Sequence, residues 1–299
     1  MAQVLVTGCS SGIGLETALT FARSGHKVYA TMRNLDRAAA LRERVEKEKL
    51  SVAILEMDVD SDGSVTTTIA KIQFQDGPID VLVNNAGIER NGSIEQTPWE
   101  DFRAAMETNY FGALRCIRAC MPEMRKHQRG CIINVSSVAG RISCSPMAPY
   151  AASKFALEAM SEALAQEGKP FNIRVLIVEP GIIATPMAQR IADPRERSPY
   201  PQIHRFSHLF EASLENPTPP TVVAEKIREI FESGTWQLRH VSGPTAQPFL
   251  DWRNSMTDER WVEWGALDDD AWYERVRADF GLDARPKTKK VPQKDALAS

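Results

Sequence analysis

The N-terminal stretch of this 299-residue chain reads QVLVTGCSSGIG over residues 3–14. The short apolar run at its start is typical of a buried strand, and the glycines behind it open a helical stretch. Glycines at these positions let the chain turn, let its backbone approach a pyrophosphate, and let the helix pack closely on the strand. Because free N–H groups at a helix start bind anions, the stretch predicts a phosphate-binding turn. The predicted contacts are Thr7, Gly8, Ser10, Ser11, Gly12, Ile13 and Gly14.

Short apolar runs alternate with longer helical patterns through the first 180 residues. The runs are rich in Val, Ile and Leu with little polar alternation, as in strands that helices cover on both faces. We therefore predict an α/β fold, a Rossmann-type doubly wound parallel sheet of about seven strands, with helices on both faces and a C-terminal helical extension. The predicted strands are residues 3–6, 27–31, 52–57, 80–83, 131–135, 174–178 and 236–241.

The composition changes after residue 186. Residues 186–220 carry seven prolines and mixed charges, which disfavours regular sheet. We predict a lid over the sheet edge there, with one or two short helices, inside a single domain that spans residues 1–245. Five of the six tryptophans lie beyond residue 235, which predicts a Trp-rich helical extension over residues 246–284. Residues 285–299 are predicted to be a basic, disordered tail.

Charge and hydropathy exclude several classes of partner. The formal net charge of −3 gives no electrostatic footprint for nucleic acid or an anionic membrane. No apolar run approaches the roughly 18 residues of a membrane span, so we expect no membrane span. An apolar strand begins almost at once, without a basic leader, and the odd number of cysteines suits reduced thiols. These features predict a cytoplasmic protein.

Three clusters resemble metal sites but have simpler explanations. Cys116 and Cys120 lie four apart on a predicted helix, and a second pair is missing, so we expect two buried apolar side chains. Acids at residues 268–270 favour a helix N-terminus and need no metal. His204 and His208 are interpreted as exposed loop histidines. We therefore predict no metal ion.

The end of the second predicted strand bears on the choice of nicotinamide cofactor. An NAD site usually places an acid there to bind the ribose 2′-hydroxyl. Residues 30–34 read ATMRN, and the first acid is Asp36. Arg33 can instead pair with a 2′-phosphate through its guanidinium group. We therefore predict NADP(H) in preference to NAD(H), with a merely solvated Arg33 as the alternative.

A tyrosine and a lysine lie four residues apart in a strongly helical stretch. Tyr150 and Lys154 therefore share one helix face. A free tyrosine titrates near pH ~10, which is too high for ready proton exchange at neutrality. A nearby ammonium favours the phenolate and can lower such a pKa by about 1–3 units. The pair thus predicts a general acid and base, although the spacing alone is common by chance.

Polar residues and glycines follow the other predicted strands at the same edge of the sheet, where open α/β sheets bind ligands. These are Asn84, Asn85, Ala86, Gly87, Ser137, Pro180, Gly181 and Thr185, and Asn109 lies in a predicted helix between them. Together with the glycine turn and the Tyr150/Lys154 pair, their order and separations resemble the short-chain dehydrogenase/reductase family of the single-domain Tyr-Lys type. The resemblance is strong over residues 1–190, loose over 190–245, and does not extend to 250–299.

The resemblance implies roles for individual residues. Tyr150 would give a proton to a carbonyl oxygen or take one from an alcohol, and Ser137 would hold that oxygen. Lys154 would bind the nicotinamide ribose and lower the Tyr150 pKa, and Asn109 would support a water relay to Lys154. The remaining cofactor contacts it implies are Asp58, Val59, Asn85, Ala86, Gly87, Pro180, Gly181 and Thr185. For Asn109, a purely structural role is the alternative.

Within the family, the sequence looks most like the 17β-hydroxysteroid and retinol dehydrogenase branch. That likeness implies a large apolar small-molecule substrate, although the residues after Met187 match no pattern that would define it. The family also implies a homodimer or homotetramer built through the helices that carry Asn109 and Tyr150.

Other functions remain open from the sequence. The chain could be a non-catalytic protein that senses NADP(H), yet such proteins usually break the Asn–Ser–Tyr–Lys set, which is intact here. A ketoacyl-thioester-type reductase has the same fold. The tryptophans near the C-terminus could dock a partner, or could simply pack over the sheet or the active site.

Overall fold

One parallel sheet organises the protein in the computed structural model, which describes residues 1–193 and 198–286. Within these residues the strands are β1 (Gln3–Thr7), β2 (Lys27–Met32), β3 (Val52–Glu56), β4 (Val81–Asn84), β5 (Gly130–Val135), β6 (Ile173–Pro180) and β7 (Arg239–Ser242). Their order is β3-β2-β1-β4-β5-β6-β7, and each neighbouring pair is parallel. The predicted doubly wound sheet is confirmed.

Helices cover both faces of the sheet. The helices are α1 (Gly12–Arg23), α2 (Ala39–Glu48), α3 (Asp62–Asp76), α4 (Trp99–Met106), α5 (Gly112–Lys126), α6 (Ala148–Gly168), α7 (Pro186–Ile191), α8 (Pro201–Ser213), α9 (Thr221–Glu232), α10 (Ala246–Asn254), α11 (Asp258–Ala266) and α12 (Asp269–Phe280). A π-helical turn, Glu107–Phe111, joins α4 to α5. The predicted lid thus contains the short helices α7 and α8, and its residues 194–197 lie outside the described residues.

Alternating side chains of β1 illustrate why the strands carry apolar runs. Val4 and Val6 pack into a core with helix α1 and with Ile227 of α9. Leu5 points to the opposite face, into a second core with residues of α3 and α5 such as Ile69. Both faces of the sheet are therefore buried, and burial of the apolar side chains stabilises the sheet from two sides.

The strand order places a cleft at the carboxyl edge of the sheet. β1 lies between β2 and β4. The chain therefore runs from β1 outward through β2 and β3 on one side, and then crosses to β4 on the other side of β1. The loops after these strands consequently diverge, and open α/β sheets bind ligands in the crevice that this divergence leaves.

The C-terminal helices form a third apolar cluster together with the lid. Trp272, Tyr273 and Val276 of α12 pack with Ala212 of α8. Arg205 of α8, which is 4% exposed, donates to the Leu267 carbonyl oxygen at 2.7 Å and pairs with Asp269 at 2.7 Å. The helical extension is thus attached to the lid. Residues 287–299, most of the predicted basic tail, lie outside the described residues.

The three metal-like clusters take structural roles. Cys116 and Cys120 are fully buried, and burial raises the pKa of both thiols. Asp268 caps α12 by accepting from the Ala271 N–H at 2.8 Å. The expectation of loop histidines is wrong, because His204 and His208 lie on α8 and His208 contacts the Tyr273 hydroxyl at 2.8 Å.

No group of three or more His, Cys, Asp or Glu side chains in residues 1–193 and 198–286 could hold a metal ion. In the same residues, no helix combines the length and the apolar character needed to cross a bilayer.

Candidate active site

The phosphate-binding turn between β1 and α1 has the backbone that its glycines predict. Gly8 and Gly12 have φ values of +73° and +59°, a region that L side chains rarely adopt. A Cβ on Gly14 would collide with the Gly8 carbonyl oxygen and the Asn85 amide. Ser11 precedes α1 in extended conformation without a side-chain cap, so the first N–H groups of the helix stay available to an anion.

Thr7 and Asn85 brace this turn against the next strand. The Thr7 hydroxyl accepts from the N–H groups of Asn85 and Ala86, each at 3.0 Å. The Asn85 amide donates to the carbonyl oxygens of Thr7 at 2.9 Å and Gly8 at 3.2 Å. The structure therefore places Asn85 as a support of the glycine turn, and its contact with a cofactor ribose stays a prediction.

A basic pair lies at the end of the cleft beyond β2. Arg33 lines the cavity there, as do the predicted residues Asp58 and Val59. Arg37, which the sequence reasoning missed, lines it as well. The spacing of four between the two arginines is the signal that could have identified the second. Two guanidinium groups at this end suit a phosphate group.

Tyr150 and Lys154 both lie on α6 and line the same cavity. The Lys154 ammonium donates to the Val135 carbonyl oxygen at 2.9 Å and lies 5.7 Å from the centroid of the Tyr150 ring. Burial lowers the pKa of Lys154 to about 8, against the opposing charge of Glu158. The lysine thus loses its proton more readily than a solvated one.

The expected lowering of the Tyr150 pKa is not found. Burial raises the pKa of the Tyr150 hydroxyl to about 12, while its interaction with Ser137 acts in the opposite direction and Glu89 raises it further. The physical reason is that desolvation of the phenolate outweighs the opposing hydrogen bond with Ser137. Tyr150 is therefore a protonated group at neutral pH.

Asn109 sits in the π-helical turn between α4 and α5. Its side-chain oxygen accepts from the Ile88 N–H at 2.8 Å, and its nitrogen donates to the Ile88 carbonyl at 2.9 Å and to the Ser153 hydroxyl at 2.8 Å. These bonds hold the loop after β4 against α6. The structural alternative considered for Asn109 is thus present, and its role in a water relay stays a prediction.

The loop after β6 closes one side of the cleft. Thr185 caps α7 by accepting from the Ala188 N–H at 3.3 Å, and its side chain faces Gly12. A Cβ on Gly181 would collide with the Thr245 hydroxyl at the start of the extension. The glycine at this position therefore lets α10 dock against the carboxyl edge of the sheet.

A single cavity of about 590 Å³ connects these parts. Most of the predicted site residues line it: Gly8, Ser10, Ser11, Gly12, Ile13, Arg33, Asp58, Val59, Asn85, Ala86, Gly87, Ser137, Tyr150, Lys154, Pro180, Gly181 and Thr185. Thr7, Gly14 and Asn109 lie behind this surface and support it, as their contacts above describe.

Aromatic residues that the sequence reasoning did not assign to the site form the far side of the cavity. This aromatic wall consists of Phe206, Phe210, Phe249, Trp252, Trp261, Trp264 and Phe280. Trp252 meets Trp264 and Phe280 with ring centroids 4.9 and 4.8 Å apart, and Trp261 stacks on Trp264 at 5.6 Å. Helix α8 and the C-terminal extension thus line the same cavity as Tyr150 and Lys154.

Comparisons with known proteins agree with this geometry. The family model described as short chain dehydrogenase matches residues 2–196. The chain is 39% identical to the uncharacterized oxidoreductase YusZ of Bacillus subtilis over 234 residues, which cover 76% of this chain and 83% of the relative. It is 38% identical to human retinol dehydrogenase 8 over 217 residues, 69% of this chain and 68% of the relative.

Solved structures share the architecture. A short-chain dehydrogenase from Streptomyces avermitilis superposes with a TM-score of 0.75 at 30% identity, covering 88% of this chain and 95% of the other. The glycine turn, the Tyr150/Lys154 pair and the family match over most of the sheet all point to the same family. The chain belongs to the short-chain dehydrogenase/reductase family, oxidoreductases that act on alcohols and carbonyls with a nicotinamide cofactor.

Proposed function

We propose that this protein is an NADP(H)-dependent oxidoreductase that interconverts a carbonyl and an alcohol on a large apolar substrate, with Tyr150 as general acid and base. The observation that supports this most is the single cavity that joins the glycine turn, the Tyr150/Lys154 pair and the aromatic wall. The nicotinamide end of the cofactor and an apolar substrate would meet beside Tyr150.

Each residue of the site has a separate role in the proposed reaction. The bound nicotinamide supplies or accepts the hydride. Tyr150 gives its phenolic proton to the carbonyl oxygen during reduction, and Ser137 holds that oxygen by a hydrogen bond. Lys154 holds the ribose and keeps a positive charge near the phenol, and Asn109 fixes the loop after β4 against α6.

The pKa of Tyr150 favours one direction at neutral pH. With a pKa raised to about 12, the hydroxyl carries its proton and is ready to act as an acid. Oxidation of an alcohol needs the phenolate, whose population grows with pH. We therefore propose carbonyl reduction as the favoured direction near neutrality and oxidation as the reaction of alkaline solution.

The preference for NADP(H) is supported by charge at the adenosine end. Arg33 and Arg37 line the cavity beyond β2, and no carboxylate precedes Asp36 in the segment that would receive the ribose. An arginine offers paired donors to a 2′-phosphate, whereas an acid at this point would repel it.

The cofactor preference can be tested by removing one guanidinium group. Arg33→Ala is expected to weaken NADPH binding about 10–100-fold, as expected for loss of a charge-assisted phosphate contact, and to leave NADH binding nearly unchanged. Fluorescence titration of both cofactors measures this. Arg42→Ala on α2 is the control, because Arg42 does not line the cavity. Equal losses for NADPH and NADH would contradict the preference.

The class of substrate is inferred from the wall. Seven aromatic side chains present apolar surface that favours rings or long hydrocarbon chains. The name of the human relative also points to an apolar alcohol. Absorbance of NADPH at 340 nm, followed with all-trans-retinal, a steroid ketone, a ketoacyl thioester and a short polar ketone, tests the proposal. Turnover of only the short polar ketone would reject an apolar substrate.

The aromatic wall makes a prediction about substrate affinity. Trp261→Ala removes stacked apolar surface and is expected to raise KM for the apolar carbonyl about 10-fold, while the Kd of NADPH stays within twofold. Trp236→Ala is the matched control, because Trp236 is 42% exposed, packs against Lys169 and does not line the cavity. An unchanged KM in Trp261→Ala would remove the wall from the substrate site.

Assembly of the protein is part of the same proposal. Phe111, next to α5, and Phe155 of α6 are 41% and 43% exposed, an apolar surface on the helices that flank the catalytic residues. We propose that these helices pair in a homodimer or homotetramer, where the two side chains would be buried.

A further inference from the structure

An ionic cluster with a buried centre joins α6, the helix of Tyr150 and Lys154, to strands β6 and β7. Its members are Glu158 and Glu162 of α6, Glu179 of β6, Arg239 of β7 and Arg141 after β5. We call this group the Glu158 cluster. Arg239 pairs with Glu158 at 2.9 Å, with Glu162 at 2.6 Å and with Glu179 at 3.4 Å, and Arg141 pairs with Glu179 at 3.2 Å.

The innermost carboxylates are almost completely removed from water. The side chains of Glu158 and Glu179 are 5% and 1% exposed, whereas those of Arg239 and Arg141 are 28% and 39% exposed. Buried carboxylates are expensive unless cations compensate them. Two guanidinium groups thus face the two buried carboxylates, while the third carboxylate, Glu162, is half exposed to water.

Lys154 is a further buried cation on the same helix as Glu158. It lies one helical turn before Glu158, on the same face of α6, and is 5% exposed. Its ammonium donates to an uncharged carbonyl oxygen of Val135. The Glu158 charge raises the pKa of Lys154 and so opposes the lowering by burial. Glu89, in the loop after β4, is a second carboxylate at the site, and its charge raises the pKa of Tyr150.

Close packing holds the Glu158 carboxylate in place. A Cβ on Gly140 would lie 2.6 Å from the Ser136 hydroxyl and 3.2 Å from Glu158 Oε1, so the glycine leaves room for the carboxylate beside Ser136. Burial raises the pKa of the Glu158 carboxyl, and Ser136 and Arg239 oppose that rise. Both neighbours therefore favour the charged form of Glu158.

We infer that Glu158 is a positioning residue that keeps Lys154 protonated in the active site, and that Arg239 of the last strand holds it there. The inference rests on the proposed role of Lys154 in binding the nicotinamide ribose. Glu158 lies one layer behind the cavity surface and touches neither cofactor nor substrate. Strand β7 thereby becomes part of the support for the catalytic lysine.

The test follows NADPH binding as a function of pH and needs no substrate. NADPH carries negative charge, so its affinity should fall as pH rises and the Lys154 ammonium is lost. Fluorescence titrations between pH 6.5 and 9.5 give the midpoint of that fall. In Glu158→Gln, we expect the midpoint to move to lower pH by about one unit, because an opposite charge nearby is removed.

Glu162→Gln is the matched control. Glu162 lies on the same helix and binds the same Arg239, yet its side chain is 52% exposed. We expect its midpoint to stay where the wild-type midpoint lies. If Glu158→Gln does not fold, Glu158→Asp keeps the charge but withdraws it by one methylene, and a smaller shift in the same direction is expected. A midpoint unchanged in whichever Glu158 variant folds overturns the inference.

Lys154→Met separates this inference from the proposed function. Loss of the pH-dependent fall in Lys154→Met, combined with a wild-type midpoint in the Glu158 variant, overturns the role of Glu158 alone. A pH-dependent fall that persists in Lys154→Met, together with retained carbonyl reduction, overturns the proposed role of Lys154 itself.

Discussion

Tyr150→Phe is expected to lower kcat/KM for carbonyl reduction about 10²–10⁴-fold, the usual contribution of a positioned general acid. The variant removes one oxygen and its proton and keeps the aromatic ring that lines the cavity. Because the pKa of Tyr150 is raised to about 12, the hydroxyl supplies a proton throughout the neutral range in the wild type. Without it, the developing alkoxide must take its proton from water.

The measurement combines NADPH oxidation at 340 nm with a binding titration. Binding of NADPH should stay within about threefold, since the missing hydroxyl acts on the substrate oxygen. Tyr29→Phe is the matched control, because its hydroxyl is bonded to Gln3 and Asp76, away from the cavity. If Tyr150→Phe kept more than about a tenth of the wild-type kcat/KM, the proton donor would have to be another group.

Gly14→Ala is expected to weaken NADPH binding about 10–100-fold, through overpacking that costs about 1–3 kcal/mol. The added methyl group would collide with the Gly8 carbonyl oxygen, which belongs to the phosphate-binding turn, and with the Asn85 amide that braces it. Neither neighbour is free to move, because Asn85 makes two hydrogen bonds to Thr7 of β1 and one to Gly8 of the turn. The turn itself must therefore shift.

Gly63→Ala controls for the change of residue type. Gly63 also lies in the first turn of a helix, α3, and a Cβ there would meet no atom within 4 Å. We expect this variant to bind NADPH as the wild type does and to be slightly more stable in thermal unfolding. Tight NADPH binding by Gly14→Ala would show that the turn tolerates the collision and is not the binding site of the pyrophosphate.

Much of the sheet could be predicted from local sequence. The strand predicted at residues 27–31 is observed as Lys27–Met32, because a buried parallel strand must be apolar on both faces. The last strand is less accurate: it was predicted from residue 236, and the structure begins it at Arg239. Trp236 instead stacks under Lys169, and Gln237 is held in a local turn with Thr235, so these residues do not pair with β6.

Part of the site was also visible in sequence. Tyr150 and Lys154 share a helix face, and the glycines define their own turn, so local spacing carries their geometry. Whether folding raises or lowers the pKa of Tyr150 could not be predicted from local spacing, because the shift depends on how much water the folded protein removes from the hydroxyl. Local spacing suggested an activated phenolate, and burial produces a protonated phenol.

The amino-acid sequence by itself determined the sheet, the glycine-rich turn and the shared helix face of Tyr150 and Lys154, because each depends on residues that are neighbours along the chain or repeat with a fixed period. Only the tertiary structure decided that residues of α8, α10, α11 and α12 line the same cavity as Tyr150. It alone also paired Arg239 of β7 with Glu158 of α6. These contacts join residues far apart in the chain, and no local period encodes which helix faces the open edge of the sheet.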